Sequence, residues 1–282
     1  MSANWKRLSV SLAFTIFLCA LPAQVKELVV LHSNDTHSQI EPNSLSASRD
    51  ADQGGIVRRE AAIEQVRKQN SNVLLVDAGD FVQGSPYFNF FGGEVEIQMM
   101  NKMGYEVGTL GNHEFDNGLE ALAKILAQAQ FPFVCSNYDV SATPLAPYVK
   151  KTVILNKDGL KIGVLGIGVK PDGLIARKNF GNIIYSDPIA AANKYASELK
   201  QAGCDLVIML SHIGYYDDIS LGDQLIASHS SDIDLIIGGH SHTNLKGCVL
   251  TPNKNGKMIP VAQTGKSGFR LGRINIEFSA HQ

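Results

Sequence analysis

The sequence predicts an α/β fold of four layers, αββα, in which two mixed sheets pack face to face with helices outside. Three observations lead there. Strand-length apolar runs alternate with amphipathic helical patterns in both halves of the chain. A β-hairpin pattern divides the halves: residues 148–155 and 160–167 read as strands, and Asn156-Lys157-Asp158-Gly159 between them carries an Asp-Gly pair suited to a tight turn. Finally, five apolar runs, three before the hairpin and two after it, end in knots of Asp, Asn or His. Open α/β sheets bind ligands at the carboxyl ends of their strands, so both sheets are expected to present these knots on one rim.

The elements follow in order. Residues 26–31 form a strand that leads into Asn34-Asp35-Thr36-His37. The polar stretch 38–52 is expected to be a surface loop beside that motif. Residues 55–68 set Ile56, Val57, Ala61, Ile63 and Val66 at the spacing of an amphipathic helix. Residues 73–78 form a strand ending at Gly79-Asp80, 94–103 a helix, and 107–111 a strand ending at Asn112-His113-Glu114-Phe115-Asp116. A helix over 118–129 puts Leu119, Leu122, Ile125 and Leu126 on one face, with Asp116 or Asn117 able to cap it. Residues 132–136 form a strand before the hairpin. After it come a helix over 188–201, a strand over 205–210 ending at Ser211-His212, a helix over 221–228, and a strand over 235–237 ending at Gly238-Gly239-His240-Ser241-His242. Residues 258–263 and 269–278 close with β pattern. Gly84-Ser85-Pro86 reads as a turn, and Tyr87, Phe88, Phe90 and Phe91 as core or interface packing. His32, His229 and His281 match no motif and read as structural or surface residues.

Composition narrows the class. The chain has 282 residues, 44% hydrophobic and 18% charged, with a net charge of −2, which is ordinary for a globular protein. No basic run points to nucleic acid or an anionic membrane surface. Lys6 and Arg7 precede an apolar stretch, 8–21, and Leu21-Pro22-Ala23 supplies a small residue at a cleavage point. Residues 1–23 therefore read as a cleaved secretory signal peptide, leaving 24–282 as the domain, in a periplasm or outside the cell. The apolar stretch is shorter than the roughly 20 residues of a spanning helix, so no stable membrane anchor is expected. Cys135, Cys204 and Cys248 of the mature chain are odd in number, widely spread and without Cys-x-x-Cys spacing. They form neither a disulfide framework nor a thiolate metal site.

The knots have a chemistry of their own. Asp35 and Asp80 offer carboxylates, His37, His212, His240 and His242 imidazoles, and Asn112 an amide oxygen. Oxygen and nitrogen donors without thiolate suit zinc, manganese, iron(II) or cobalt. Seven donors exceed what one catalytic ion with an open position can use. Two divalent ions sharing a carboxylate would use them well, and such pairs hydrolyse phosphate esters.

Asn34-Asp35-Thr36-His37, Gly54-Gly55, Gly79-Asp80 with Gln83-Gly84-Ser85-Pro86, Gly111-Asn112-His113-Glu114-Phe115-Asp116, Ser211-His212 and Gly238-Gly239-His240-Ser241-His242 occur in this order, followed by Gln263-Thr264-Gly265 and Leu271-Gly272-Arg273. Together they resemble the catalytic domain of the 5′-nucleotidase family of calcineurin-like metallophosphatases, over essentially all of residues 24–282. The resemblance implies that Asp35, His37 and His242 hold one metal, that Asn112, His212 and His240 hold a second, and that Asp80 bridges them. It implies that His113 and Asp116 are a catalytic pair outside the ligand set, and that a metal-bound water or hydroxide attacks the phosphorus of a nucleotide. A positioned histidine can donate to developing charge, and a carboxylate can orient its ring.

Bacterial members of that family continue into a second domain that selects the substrate, whereas this chain stops at Gln282. Three arrangements fit: a separate partner protein supplies the specificity domain, the chain acts alone on simpler phosphate esters, or activity is weakened. Competing activities are 2′,3′-cyclic-nucleotide phosphodiesterase, UDP-sugar hydrolase and sulfur-ester hydrolysis. A metal-binding module without turnover would have no use for His113 and Asp116.

Overall fold

In chain order the strands are β1 (Lys26–Ser33), β2 (Val73–Asp77), β3 (Val107–Thr109), β4 (Phe133–Val134), β5 (Tyr138–Asp139), β6 (Val149–Lys150), β7 (Thr152–Lys157), β8 (Leu160–Ile167), β9 (Ile184–Tyr185), β10 (Leu206–Ser211), β11 (Leu235–Gly238), β12 (Val249–Pro252), β13 (Met258–Ala262) and β14 (Gly272–Phe278). The helices are α1 (Ile56–Gln69), α2 (Pro86–Phe91), α3 (Glu94–Met103), α4 (Gly118–Leu126), α5 (Arg177–Phe180), α6 (Pro188–Gln201) and α7 (Gly222–His229). This computed structural model describes residues 26–47, 49–219 and 222–278. The expected signal peptide and His281 lie outside them. No helix among the described residues is long and apolar enough to cross a membrane.

Two six-stranded sheets form, in the orders β14-β1-β2-β3-β4-β6 and β12-β13-β11-β10-β8-β7. Both are mixed. β1, β2, β3 and β4 run parallel, with β14 antiparallel at one edge, and β8, β10, β11 and β13 run parallel between antiparallel β7 and β12. Strand alternation sorts the core. Leu28, Val30, Leu74 and Val76 point between the sheets and meet Ile162, Val164, Ile208, Leu210 and Ile237 of the other. Their neighbours Val29, Leu31, Val73 and Leu75 face outward and pack with Ile63 of α1, Ile97 of α3 and Leu122 of α4. On the far side Leu165, Val207, Met209 and Ile236 pack with Ala192 and Ala196 of α6 and Ile226 of α7. Four layers result, as expected from the sequence.

Several boundaries differ. The expected strand 148–155 is two strands: Val149 pairs with Phe133 in one sheet, and Thr152 pairs with Leu165 in the other. The chain changes sheets at Lys151, whose Nζ donates to the Ser136 and Tyr138 carbonyls at 3.2 and 2.7 Å. The turn Gly84-Ser85-Pro86 starts α2, with Ser85 Oγ accepting the Phe88 N–H and Pro86 in the first turn. Phe88 alone of its aromatic cluster packs in the core; Phe90 and Phe91 are 82% and 52% exposed, and the Tyr87 hydroxyl donates to Glu41. His32 is buried, and His229 caps its own helix through the Leu225 carbonyl. The three cysteines are free.

Candidate metal centre

β1, β2, β3, β10 and β11 all deliver their polar knots at carboxyl ends, and there the backbone turns sharply. Asp35, His37, Asp80, His240 and His242 have φ of 49°, 46°, 55°, 74° and 55°. That left-handed region is costly for residues with a side chain and is over-represented at functional sites. Bonds between the loops hold these conformations. The Asp35, His37 and Ser38 N–H groups donate to the Gly79, Asp80 and Phe81 carbonyls at 2.9–3.0 Å, continuing the β1–β2 pairing past the strand ends. Ser267 N–H donates to the Asp35 carbonyl from the other side at 2.7 Å. Gly111 has no room for a side chain, because a Cβ there would collide with Asp80 Oδ1.

The seven candidate ligands converge. Asp35, His37 and His242 each place a donor atom within 4.8 Å of the others, and so do Asp80, His212 and His240. In the first set His242 Nε2 is 3.4 Å and His37 Nε2 3.8 Å from Asp35 Oδ1, and the two Nε2 atoms are 3.0 Å apart. In the second, His212 Nε2 is 3.0 Å from Asp80 Oδ2. Asn112 Oδ1 joins that set at 2.9 Å from His240 Nδ1. The sets adjoin, since His212 Nε2 is also 3.9 Å from Asp35 Oδ1.

This donor set fits divalent cations. His212 Nδ1 donates to the Ala78 carbonyl at 2.7 Å, which turns its buried Nε2 into the site, 3.0 Å from Asp80 Oδ2. A second partner that fixes the tautomer is the usual company of a metal-ligating histidine. Two carboxylates and four imidazoles packed this closely need positive charge among them. Protons alone show the demand. Burial would lower His212, yet the Asp80 carboxylate raises it to about 10. Burial would raise Asp80, yet the His212 charge and contact pull it below the ordinary carboxylate value. Burial holds His240 down at about 4 and also lowers His37, which keeps both imidazoles neutral, the form that ligates.

His113 stands at the same rim. Its N–H donates to Asp80 Oδ1 at 2.9 Å, and its ring lies edge-on to His37 with centroids 5.5 Å apart. Its Nδ1 is 2.9 Å from Asp116 Oδ2, which leaves Nε2 for another partner. Both side chains are partly open to solvent, at 28% and 39%. A nitrogen of His113 also comes within 4.8 Å of donor atoms of His37 and Asp80, so its distance from the ligand sets is short.

Residues without an assigned role in the sequence brace the ligands. Asn34 Nδ2 donates to Asp35 Oδ2 at 2.6 Å and to the Gly265 carbonyl, while its Oδ1 accepts the Thr264 N–H and hydroxyl. Glu114 is buried and accepts the N–H groups of Asp80, Phe81 and Gly111. Burial and the Asp80 charge raise its carboxyl, and the His212 charge with the Asp80 and Gly111 N–H groups offsets only part of that rise. Asp223 accepts the Ser211 hydroxyl directly beneath His212, and burial raises its carboxyl to about 7. Asn34 and Glu114 stood inside recognised motifs; Asp223 lay on an expected helix with no signal.

Comparison with known proteins agrees with this geometry. Residues 28–244 match the family described as calcineurin-like phosphoesterase. A snake venom 5′-nucleotidase from Gloydius brevicauda is 32% identical over 273 residues, covering 89% of this chain and 45% of the relative. The crystal structure of a 5′-nucleotidase precursor from Thermus thermophilus superposes with a TM-score of 0.81 at 31% identity, over 90% of this chain and 52% of that one. The calcineurin-like phosphoesterase YfkN from Bacillus subtilis gives 0.75 at 27% identity, over 90% and 86% of the two chains. The chain thus spans about half the length of the 5′-nucleotidases it resembles.

Proposed function

The chain belongs to the calcineurin-like phosphoesterase family, and from that premise we propose that it hydrolyses phosphate esters with two bound divalent ions, as a 5′-nucleotidase-type enzyme acting on nucleotides. The observation that carries this reading is the pair of adjoining donor sets, Asp35–His37–His242 and Asp80–His212–His240. In this reading the first set holds one ion, Asn112, His212 and His240 hold the other, and Asp80 is shared. Bound there, the ions would neutralise phosphoryl charge and supply a nucleophile from water near neutral pH.

The chain's own residues do the rest. Asn34 fixes the Asp35 carboxylate, and the Ala78 carbonyl fixes the His212 ring. Asp116 holds His113 by Nδ1, and Nε2 donates a hydrogen bond to charge that develops on a phosphoryl or leaving oxygen. Residues 1–23 are proposed to be a signal peptide that delivers residues 24–282 to a periplasm or the exterior, supported by Lys6, Arg7 and the apolar stretch after them. A separate protein carrying a substrate-specificity domain is a proposed partner.

The test uses the purified mature chain with manganese or zinc. p-Nitrophenyl phosphate, bis-p-nitrophenyl phosphate, AMP and a UDP-sugar are assayed with and without chelator. Turnover that chelator abolishes and metal restores is expected, with AMP preferred. No chelator-sensitive turnover on any substrate would sink the reading.

A further inference from the structure

Where edge strand β14 begins, a cavity of about 470 Å³ opens against the segment that follows β11. Its lining contains no residue of the metal centre and no carboxylate. Lys246, Arg270 and Arg273 give it three exposed cations, on a chain whose net charge is −2. Among the described residues Lys246 and Arg270 have no ion pair or hydrogen bond, and Arg273 donates only to the amide oxygens of Asn275 and Asn70. A concave wall of one sign focuses potential and concentrates counter-ions, and the volume is in the range of small-molecule sites.

His32 marks the same cavity independently. It lies on β1, belongs to the lining and is 2% exposed. Its Nδ1 has no hydrogen-bond partner. Its Nε2 faces Gly272, where a Cβ would stand 2.0 Å away, so only glycine lets β14 pass over the ring. Burial keeps the imidazole neutral, at about 4. A neutral imidazole still carries one N–H, and burying a polar group without a partner is costly. A ligand in the cavity would supply that partner.

We propose that this cavity is an anion site separate from the metal centre, taking a phosphate-class dianion, either free orthophosphate or the phosphate group of a small ester. Its polar groups come from three directions: Lys246 from the segment after β11, Arg270 and Arg273 from the start of β14, and His32 from β1. Donors on several walls suit a tetrahedral oxyanion better than a flat carboxylate. Arginine forks hold phosphate oxygens in pairs, and a lysine adds a point charge. The site needs neither bound metal nor turnover, so it stands apart from the phosphoester-hydrolase reading.

Cys248 reports occupancy. It lines the same cavity and is exposed, whereas Cys135 and Cys204 are buried. Its alkylation by iodoacetamide, an uncharged reagent, is followed by mass spectrometry of the mature protein with and without manganese. Orthophosphate is titrated in, and so is phenylphosphonate, a non-hydrolysable dianion on an apolar body. Acetate at matched ionic strength is the control. Both dianions are expected to slow alkylation to a plateau, equally with and without manganese. In Lys246→Ala/Arg270→Ala, which alters only exposed side chains, the half-protecting concentration should rise about tenfold or more, the scale of lost charge-assisted bonds. Stronger protection by phenylphosphonate would identify an ester-borne phosphate as the ligand, and stronger protection by orthophosphate the free ion. No protection by either dianion would overturn the proposal. So would equal protection by acetate, protection that requires manganese, or an unshifted double variant.

Discussion

Glu114→Gln tests how the metal rim is built. Glu114 is 3% exposed, and its two oxygens accept three N–H groups, from Phe81 at 2.9 Å, Asp80 at 3.1 Å and Gly111. Both oxygens face donors, which is the arrangement of a carboxylate. Glutamine keeps the shape and only one acceptor oxygen. In its better orientation that oxygen stays on Asp80 and Gly111, and the amide –NH2 faces the Phe81 N–H. One buried donor is left without an acceptor, at a cost of about 1–3 kcal/mol. The two retained bonds lose their charge assistance, roughly another 1 kcal/mol. Removing a buried negative charge next to Asp80 offsets part of this. The net expectation is a loss of about 1–3 kcal/mol in urea unfolding. Glu114 also ties the turn of Asp80 to the residue before Asn112, so both would lose their placement. The manganese concentration for half-maximal turnover of p-nitrophenyl phosphate should rise about tenfold, equivalent to about 1.4 kcal/mol. A variant within about 0.5 kcal/mol of the unaltered protein, with the same manganese requirement, would refute the reasoning.

His113→Ala should lower turnover by roughly 10²–10⁴-fold while metal analysis still finds two ions per chain; loss of an ion instead would make His113 a ligand. Gly166→Ala places a Cβ against the Val134 carbonyl and 2.6 Å from Thr109 Oγ1, where the sheets meet. It should cost about 1–3 kcal/mol or more, whereas Gly247→Ala, with open space around it, should stay within about 0.5 kcal/mol in the same unfolding assay. His32 titrates at about 4 in the fold against 6.5 when unfolded, so the unfolded chain binds the extra proton between those values. Its contribution is complete above about pH 6.5 and is lost as pH falls towards 4. The stability gap between the unaltered protein and His32→Gln should shrink by about 2 kcal/mol from pH 7 to pH 5; a constant gap would show that His32 is not held neutral by burial.

The site was legible in the sequence to the extent that local pattern controls it. Buried parallel strands are continuous apolar runs, so β1, β2, β10 and β11 stood out, and the ligands immediately follow them. β5 and β9 have two residues each, too few for any period to show, and β12 has no counterpart in the sequence reading. Lys151 is where one apparent strand becomes two, and nothing local marks it, because the change of sheet is fixed by the Ser136 and Tyr138 carbonyls that hold its ammonium. Glu114 stands in its motif with no role that local pattern assigns; its donors include the N–H groups of Asp80 and Phe81, more than thirty residues away in the chain.

Sequence alone determined which chemistry-bearing side chains exist and that each follows a buried strand, because apolar periodicity and turn residues act over a few positions. Tertiary structure decided which donors lie together. Asp35 and His242 lie far apart in the chain and 3.4 Å apart in space. They meet because the two sheets pack through Leu28, Val30, Ile208 and Ile237 with their parallel strands ending on one rim. It also decided the left-handed turns at Asp35, His37, Asp80, His240 and His242, a strain no local preference favours and only bonds between loops can hold. Lys246, Arg270 and Arg273 likewise line one cavity only because β14 pairs with β1.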